Sequence, residues 1–561
     1  MISEPPPPTV SWRRDLLWLI LISGAAYFLL LGRSPLNNPD EGRYAEISRE
    51  MASTGDWVTP RLDGVAYFEK PPLMYWAGAV MQDVFGPGEW SVRAVVALFS
   101  IAGIGAAYIA GRSLHGRDAG VWSATVLGTS LLYFALGRIL LLDMAVSVLM
   151  SASLICFLLG ALAAAGRRRR ALFLGFYAFA ALATLTKGLI GFVLPGAVIL
   201  LWLLVFNQWR RLRPFHPASG FLLFFAIAAP WHLMVAARNP SWAHFYFVQE
   251  HFQRFSTTEA HRVMPWWIFA PIVLLGLFPW TGFLWPALRD ALAGGWARRN
   301  GNSPAWFLVT WAAFIFLFFT KSQSKLIPYI LPVFPPLAVL IGAGIARRGR
   351  ARVEPLPLLA FISISWLLAA LAVAILLRPG LALREPDQAA ALRPWLVLLA
   401  AVTAAGGATA FLLRRRPDGR PALRCILATT ALLFAILVAA PHDIDHRGTK
   451  ELALEARAMA APGDRIYHYH EFFHDFTFYA GRTVGLVRYG GELEPQNDDP
   501  ARMSRLFITD AEFLRQWAGP ERIFAVAKKS EAKELFADPA FQYHILGEDP
   551  RHYLFSNRQA P

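Results

Sequence analysis

Residues 140–170 read LLLDMAVSVLMSASLICFLLGALAAAGRRRR, an apolar run closed by four consecutive arginines. A hydrocarbon core takes about 20 apolar residues of helix to cross, so the run predicts a membrane span ending on a cytoplasmic basic cluster. Working outward, ALFLGFYAFAALATL (171–185) and GLIGFVLPGAVILLWLLVF (188–206) follow, and the next cluster is Arg210, Arg211 and Arg213. Apolar stretches of this kind stand near 15–32, 91–110, 119–136, 140–164, 171–185, 188–206, 219–237, 266–287, 305–319, 326–345, 356–377, 393–413 and 421–440. They predict an α-helical polytopic membrane protein with about thirteen transmembrane helices.

Every second connection is short and basic. The clusters are Arg13 and Arg14; Arg112 and Arg117; Arg167 to Arg170; Arg210 to Arg213; Arg298 and Arg299; Arg347 to Arg352; and Arg414 to Arg420. The positive-inside rule assigns them to the cytoplasm. An odd number of spans then puts the C-terminal stretch outside, together with two long connections near 33–90 and 238–265. The expected organisation is a transmembrane catalytic domain over 1–440 and an outer, periplasmic domain over 441–561.

Composition agrees. In 561 residues, 54 Lys and Arg against 39 Asp and Glu give a net charge of +15, with 55% hydrophobic and only 17% charged residues. A soluble domain carries roughly a quarter charged residues, and disorder needs low hydrophobicity, so both are excluded. Nucleic acid is excluded as a partner because the basic residues are dispersed through loops instead of forming one basic and aromatic face. Cys156 and Cys425, the only cysteines, lie in apolar runs and supply no disulfide framework.

The tail is different. DRIYHYH, RTVGLVRY, RIFAVAKK and YHILGEDPRHYLFSN alternate like strands, with helical KELALEARAMA, DAEFLRQWA and EAKELFA between them. A small α/β domain is expected.

The chemistry is expected on the outer side. In NPDEGRYAEISREMASTGDW, Asp40 opens a helical pattern running to about Ser53 with Gly55 as its C-cap, an amphipathic helix expected to lie on the membrane surface. Asp40 reads either as the N-cap or as a site carboxylate. Asp143 sits at the outer mouth of a span, where an ionisable residue needs a role or a partner; Arg138, five residues earlier, is one partner. Arg43, Lys70, Lys187, Arg254, Lys321 and Lys325 fall on the outer side, where the charge rule disfavours cations. Together they suit an anionic lipid head. Tyr67 and Tyr329 can stack on a sugar or anchor at the interface. Glu69, His251 and His261 are the outer donors suited to zinc or a similar divalent ion, at no metal-motif spacing. No Gly-rich nucleotide loop occurs, and neither inverted repeats nor broken mid-membrane helix pairs point to a transporter.

NPDEGRYAEISREM, GDWVTPRLDGVAYFEKPPLMYW, LLDM, LTKG, EHFQRF and SKLIPYILPVFPPLA, in order from about 35 to 340, resemble the bacterial lipid A aminoarabinose transferases, in the membrane glycosyltransferase group that includes protein O-mannosyltransferases and shares the GT-C fold. The resemblance implies Asp40 and Asp143 as catalytic carboxylates. It implies Arg43, Lys70 and Arg254 as holders of the donor phosphate, with Tyr67, Lys187, Lys325 and Tyr329 lining the cavity. It implies a bacterial inner-membrane enzyme that moves 4-amino-4-deoxy-L-arabinose from undecaprenyl phosphate to a lipid A phosphate on the periplasmic face, with no required cofactor and at most a divalent metal such as zinc. The alternative is another polyprenyl-phosphate-linked sugar, or a glycan, protein or other lipid as acceptor. Gly42 stands where the family pattern leads one to expect Pro.

Overall fold

The computed structural model describes residues 11–240, 242–243, 245–246, 264–381, 386–440, 448–491, 493 and 499–559. Helices run in the order α1 (Trp12–Phe28), α2 (Asp40–Thr54), α3 (Leu73–Phe85), α4 (Glu89–His115), α5 (Arg117–Gly128), α6 (Leu131–Leu136), α7 (Leu142–Leu162), α8 (Arg167–Lys187), α9 (Ile190–Phe206), α10 (Pro217–Arg238) and α11 (Phe269–Gly276). They continue with α12 (Leu284–Ala291), α13 (Ser303–Lys321), α14 (Phe334–Arg348), α15 (Pro355–Leu377), α16 (Pro386–Leu413) and α17 (Arg420–Ala439). The tail adds α18 (Lys450–Met459), α19 (His474–Ala480), α20 (Pro500–Leu506), α21 (Asp510–Trp517) and α22 (Lys529–Phe536).

Each expected apolar stretch lies on helix, but not each is a full span. Among the described residues eight helices are long and apolar enough to cross a membrane, nine if the pair bent by 106° around residues 277–280 is one span. The expected count of thirteen is therefore not reached by that measure, for visible reasons. The stretch 119–136 breaks between α5 and α6, at Thr129 and Ser130. α8 has charged ends, Arg167 to Arg170 and Lys187, and α1 and α9 are 17 residues each.

The chain divides into two compact units. One comprises Met1–Leu31, Val96–Pro230 and Gln253–Ile444; the other comprises Gly32–Val95, Trp231–Phe252 and Asp445–Pro561. In the first, α7 and α8 pack antiparallel across a short connection, and α14 packs on α5 through Gly342, whose Cα closely faces the backbone of Ser123.

In the second unit the tail forms a six-stranded sheet from β3 (Arg465–Tyr469), β4 (Gly485–Val487), β5 (Phe507–Ile508), β6 (Ile523–Lys528), β7 (His544–Glu548) and β8 (His552–Ser556), after a small hairpin of β1 (Arg61–Leu62) and β2 (Val65–Ala66). The spatial order is β5-β4-β3-β6-β8-β7. β3 is parallel to β4 and β6, and β4 to β5, while β8 is antiparallel to both its neighbours. The expected α/β pattern is thus present. IFAVAK of β6 is buried along its length except at Lys528, the continuous apolar run of a strand covered on both faces. Phe513, Trp517, Phe541 and Phe555 close the core on one side, with Trp517 stacked on Phe541 at 5.0 Å.

The early segment of this unit is locked to the tail. α2 packs on α3 and α19, with Glu41, Gly42, Arg43, Ala45, Glu46, Ile47, Glu50 and Met51 buried. It is a packed helix within the unit, not the surface-lying amphipathic helix that the sequence suggested, because its second face meets α19 across 430 residues of sequence that periodicity cannot see. Asn38 Oδ1 accepts the backbone N–H of Asp475 at 3.0 Å, and its amide returns a hydrogen bond to the Asp475 carboxylate. The same carboxylate takes Thr449 N–H at 2.6 Å and Thr449 Oγ1 at 2.9 Å. At Gly42 a Cβ would meet Asp475 N at 2.5 Å, which accounts for glycine where Pro was expected.

Candidate functional site

α2 positions the first carboxylate. Its start is set by Asn37, whose carbonyl accepts Glu41 N–H at 3.1 Å while its own N–H and amide donate to Glu41 Oε2 at 3.0 and 3.1 Å. Its end is Gly55 at φ +70°, with its N–H on Met51 O, the C-cap expected from sequence. The N-cap position is held by Pro39, so Asp40 is not the cap. Its carboxylate instead meets Arg43 Nη1 at 3.1 Å, with the Asp40 side chain 45% exposed and Arg43 only 6%. Asp40 therefore keeps an accessible face while a buried guanidinium anchors it. Two carboxylates in the first turn also suit the positive end of the helix.

Buried ion pairs fix this helix in turn. Glu41 forms a fork with Arg93 at 2.7 and 2.8 Å, and Arg93 also takes the carbonyls of Ser34 and Pro35 at 2.7 Å. Glu46 forms a second fork with Arg49 at 2.7 Å. These pairings were not read from the sequence; the i,i+3 spacing of Glu46 and Arg49 was the available signal.

The β1–β2 hairpin turns on Asp63 and Gly64, at φ +54° and +77°, the two positive φ values of a type I′ turn for which Asp-Gly is suited. Gly64 N–H reaches both oxygens of Glu50 at 3.0 and 2.9 Å. Burial, then the Glu46 charge, pushes the Glu50 carboxyl up to about 8. Asp63 is fully buried and accepts Val484 N–H at 2.8 Å; burial pushes its carboxyl well above the usual range. From this hairpin the chain leads to Tyr67, buried, whose N–H is held by Pro60 O at 2.8 Å. Next come Glu69 and Lys70, with Lys70 Nζ 2.9 Å from Glu69 O and 3.7 Å from its carboxylate.

The other expected residues belong to the helical unit. Asp143 lies in the first turn of α7 and Lys187 in the last turn of α8, each at the helix end whose dipole suits its charge. The antiparallel pairing brings them together, Lys187 Nζ to Asp143 Oδ1 at 2.5 Å, with side chains 13% and 14% exposed. Arg138 is not the partner of Asp143. It donates to the carbonyls of Ala26, Tyr27 and Leu29 at 2.7 to 3.0 Å. Lys187 also stands 4.6 Å from the ring centroid of Tyr329, within cation–π range. Lys325 is buried and donates to Ser322 O; Lys321 is exposed.

Arg254, His251 and His261 lie outside the described residues. Among the described residues no group of three His, Cys, Asp or Glu could hold a metal ion. Each unit thus holds a carboxylate anchored by a cation, Asp40 with Arg43 in one and Asp143 with Lys187 in the other, the latter cation over Tyr329.

Comparisons with known proteins extend this. Residues 69–234 match the family described as dolichyl-phosphate-mannose-protein mannosyltransferase, and residues 452–557 match the aminoarabinose transferase C-terminal domain. The undecaprenyl phosphate-α-4-amino-4-deoxy-L-arabinose arabinosyl transferase of Edwardsiella ictaluri is 34% identical over 57% of this chain and 57% of its own. Its counterpart in Erwinia tasmaniensis is 33% identical over 66% of each. The chain thus spans about three fifths of the length of the curated relatives it matches. The crystal structure of ArnT from Cupriavidus metallidurans bound to undecaprenyl phosphate superposes with a TM-score of 0.83 at 29% identity, covering 98% of this chain and 99% of that one.

Fold and site residues together define a polytopic membrane protein of the GT-C glycosyltransferase class. The helical bundle and the matched tail domain occur in one chain. The protein belongs to the aminoarabinose transferase family.

Proposed function

We propose that the protein transfers 4-amino-4-deoxy-L-arabinose from undecaprenyl phosphate to a phosphate of lipid A, at the periplasmic face of the bacterial inner membrane. The observation that carries this reading is the superposition over nearly the whole chain on an ArnT bound to undecaprenyl phosphate.

In this reading Asp40 and Asp143 are the catalytic carboxylates, and Arg43, Lys70 and Arg254 hold the donor phosphate. Tyr67, Lys187, Lys325 and Tyr329 line the cavity. A lipid A phosphate is already an anion and needs no general base. Asp40, with its exposed face, is therefore assigned to orient the acceptor, pair with the aminosugar ammonium or stabilise oxocarbenium character as the glycosidic bond breaks. The leaving group departs as a phosphate monoester, gaining charge, so Lys70 and Arg254 lower the barrier at departure. The reaction requires no cofactor; Glu69, His251 and His261 are the proposed donors to a divalent ion such as zinc in a structural role.

The match of residues 69–234 to a protein mannosyltransferase family favours one second reading, another polyprenyl-phosphate sugar or a hydroxyl acceptor on a protein, glycan or other lipid. Asp40 would then act as general base. The test is mass spectrometry of lipid A from cells lacking a native aminoarabinose transferase but supplied with the donor, expressing either the parent or Asp40→Asn. An aminoarabinose mass increment with the parent alone is expected. Its absence from a folded, membrane-inserted parent rejects lipid A as acceptor, and an increment with the variant removes Asp40 from the site.

A further inference from the structure

Within the tail-containing unit a cavity of about 470 Å³ opens at the amino edge of the parallel strands β3 and β4. It is bounded by the Asp63–Gly64 turn on one side and α20 on the other, and is large enough for a small organic ligand. None of the residues assigned to sugar transfer lines it.

Its wall is cationic in a specific way. Arg482 is held by three backbone carbonyls, Ala461 at 3.1 Å, Pro462 at 3.3 Å and Asp464 at 2.6 Å. Carbonyls satisfy the donors but leave the charge uncompensated. Arg502 and Arg505 are exposed, and among the described residues neither guanidinium makes a hydrogen bond or ion pair; that of Arg502 lies against Gly64. Arg465 meets Gln516 at 2.8 Å and Glu521 at 3.3 Å.

The three carboxylates at the wall are fewer than its four guanidiniums. Asp464 accepts Ala461 N–H at 2.8 Å, and Asp499 caps α20 through Ala501 N–H at 3.1 Å. Asp63 is fully buried; its Oδ1 accepts Val484 N–H, and its Oδ2 has no hydrogen-bond partner among the described residues. Burial holds the Asp63 carboxyl well above the usual range.

We propose that this cavity binds a phosphate-bearing saccharide, with Arg502 and Arg505 gripping the phosphate and the polar rim meeting sugar hydroxyls. Guanidinium forks match phosphate geometry, and the volume exceeds what a lone phosphate fills. A polar wall takes a headgroup and not an acyl chain. As the source of that headgroup, the acceptor lipid A follows from the proposed function and rests on it; binding of a phosphorylated saccharide does not.

The experiment uses the full chain in phosphatidylcholine nanodiscs, with calorimetric titration of inorganic phosphate and of a water-soluble bisphosphorylated glucosamine disaccharide. The disaccharide should bind more tightly than phosphate. Affinity should fall about ten-fold or more in Arg502→Ala/Arg505→Ala, as for loss of at least one charge-assisted contact. It should fall less in Arg502→Lys/Arg505→Lys, which keeps charge without the fork, and hold in Arg515→Ala, which removes an exposed charge from α21. Equal binding by parent and double Ala variant overturns the site, and equal affinity for phosphate and disaccharide overturns the saccharide. Unfolding temperatures of the variants are compared first, and a misfolded Ala pair leaves the Lys pair as the deciding variant. Failure of the lipid A reading appears elsewhere, as absent transfer with binding intact.

Discussion

Lys187 and Asp143 meet at 2.5 Å although 44 residues separate them. The connection between α7 and α8 is short, so the antiparallel pair returns the end of one helix to the start of the other. A carboxylate at the mouth of a span is thereby given its cation by topology instead of by sequence proximity. The same ammonium faces the Tyr329 ring, so one side chain ties three segments together.

Removing either partner leaves a mostly buried charge. Asp143→Asn and Lys187→Gln should each destabilise by ~2 kcal/mol, and the double variant by clearly less than the sum. A double-mutant cycle on unfolding in detergent checks this; strict additivity would show that the two groups do not interact.

Gly42→Ala places a methyl group 2.5 Å from the Asp475 backbone nitrogen, where backbone cannot swing aside as a flexible side chain can. The expected cost is about 1–3 kcal/mol, the range for overpacking, with earlier proteolysis of the tail. A variant as stable as the parent would mean that α2 and α19 are not in contact in the membrane.

Glu50 gives a pH dependence. Its carboxyl holds the proton more tightly folded, at about 8, than its ordinary 4.5. A raised pKa stabilises fully below the ordinary value and loses that stabilisation as pH rises through the folded one. Stability should therefore fall between about pH 4.5 and 8, by at most ~1.4 kcal/mol per pH unit for one proton. Glu50→Gln should match the parent at pH 5 and exceed it at pH 8. A pH slope unchanged by the substitution assigns the effect to other groups, Asp63 first.

Lys70→Ala removes an ammonium assigned to the donor phosphate. The expected result is a KM for the donor raised about ten-fold, one charge-assisted contact, with the acceptor KM unchanged. Steady-state kinetics with each substrate varied in turn reads this directly, and an unaltered donor KM moves the phosphate site elsewhere.

Much of the architecture was legible because its signals are local. Apolar runs marked the helices, and DRIYHYH, RTVGLVRY and RIFAVAKK contain β3, β4 and β6. What escaped was non-local. Lys187 as the partner of Asp143, Arg93 as the partner of Glu41 and Asn38 as the partner of Asp475 are separated by 44, 52 and 437 residues, and nothing in the spacing announces them. Periodicity assigned α2 one buried face, yet the helix has two because α19 covers the other. The split of α5 from α6 escaped because Thr129 and Ser130 hydrogen-bond back into their own turn and the break is marked by a single glycine, Gly128, inside an otherwise apolar run.

The locking of Asn38 and Gly42 to Asp475 also sets an order of events in biosynthesis. About 350 residues separate Val95 from Asp445, where the early segment's partner begins. At a synthesis rate of about 5–20 residues per second, that interval lasts roughly 20–70 s. Throughout it, the glycine face of α2 lacks the helix α19 that packs on it. The residues assigned to donor binding in this segment acquire their final support only when the chain is nearly finished, so a truncated translation product would be inserted but unable to act.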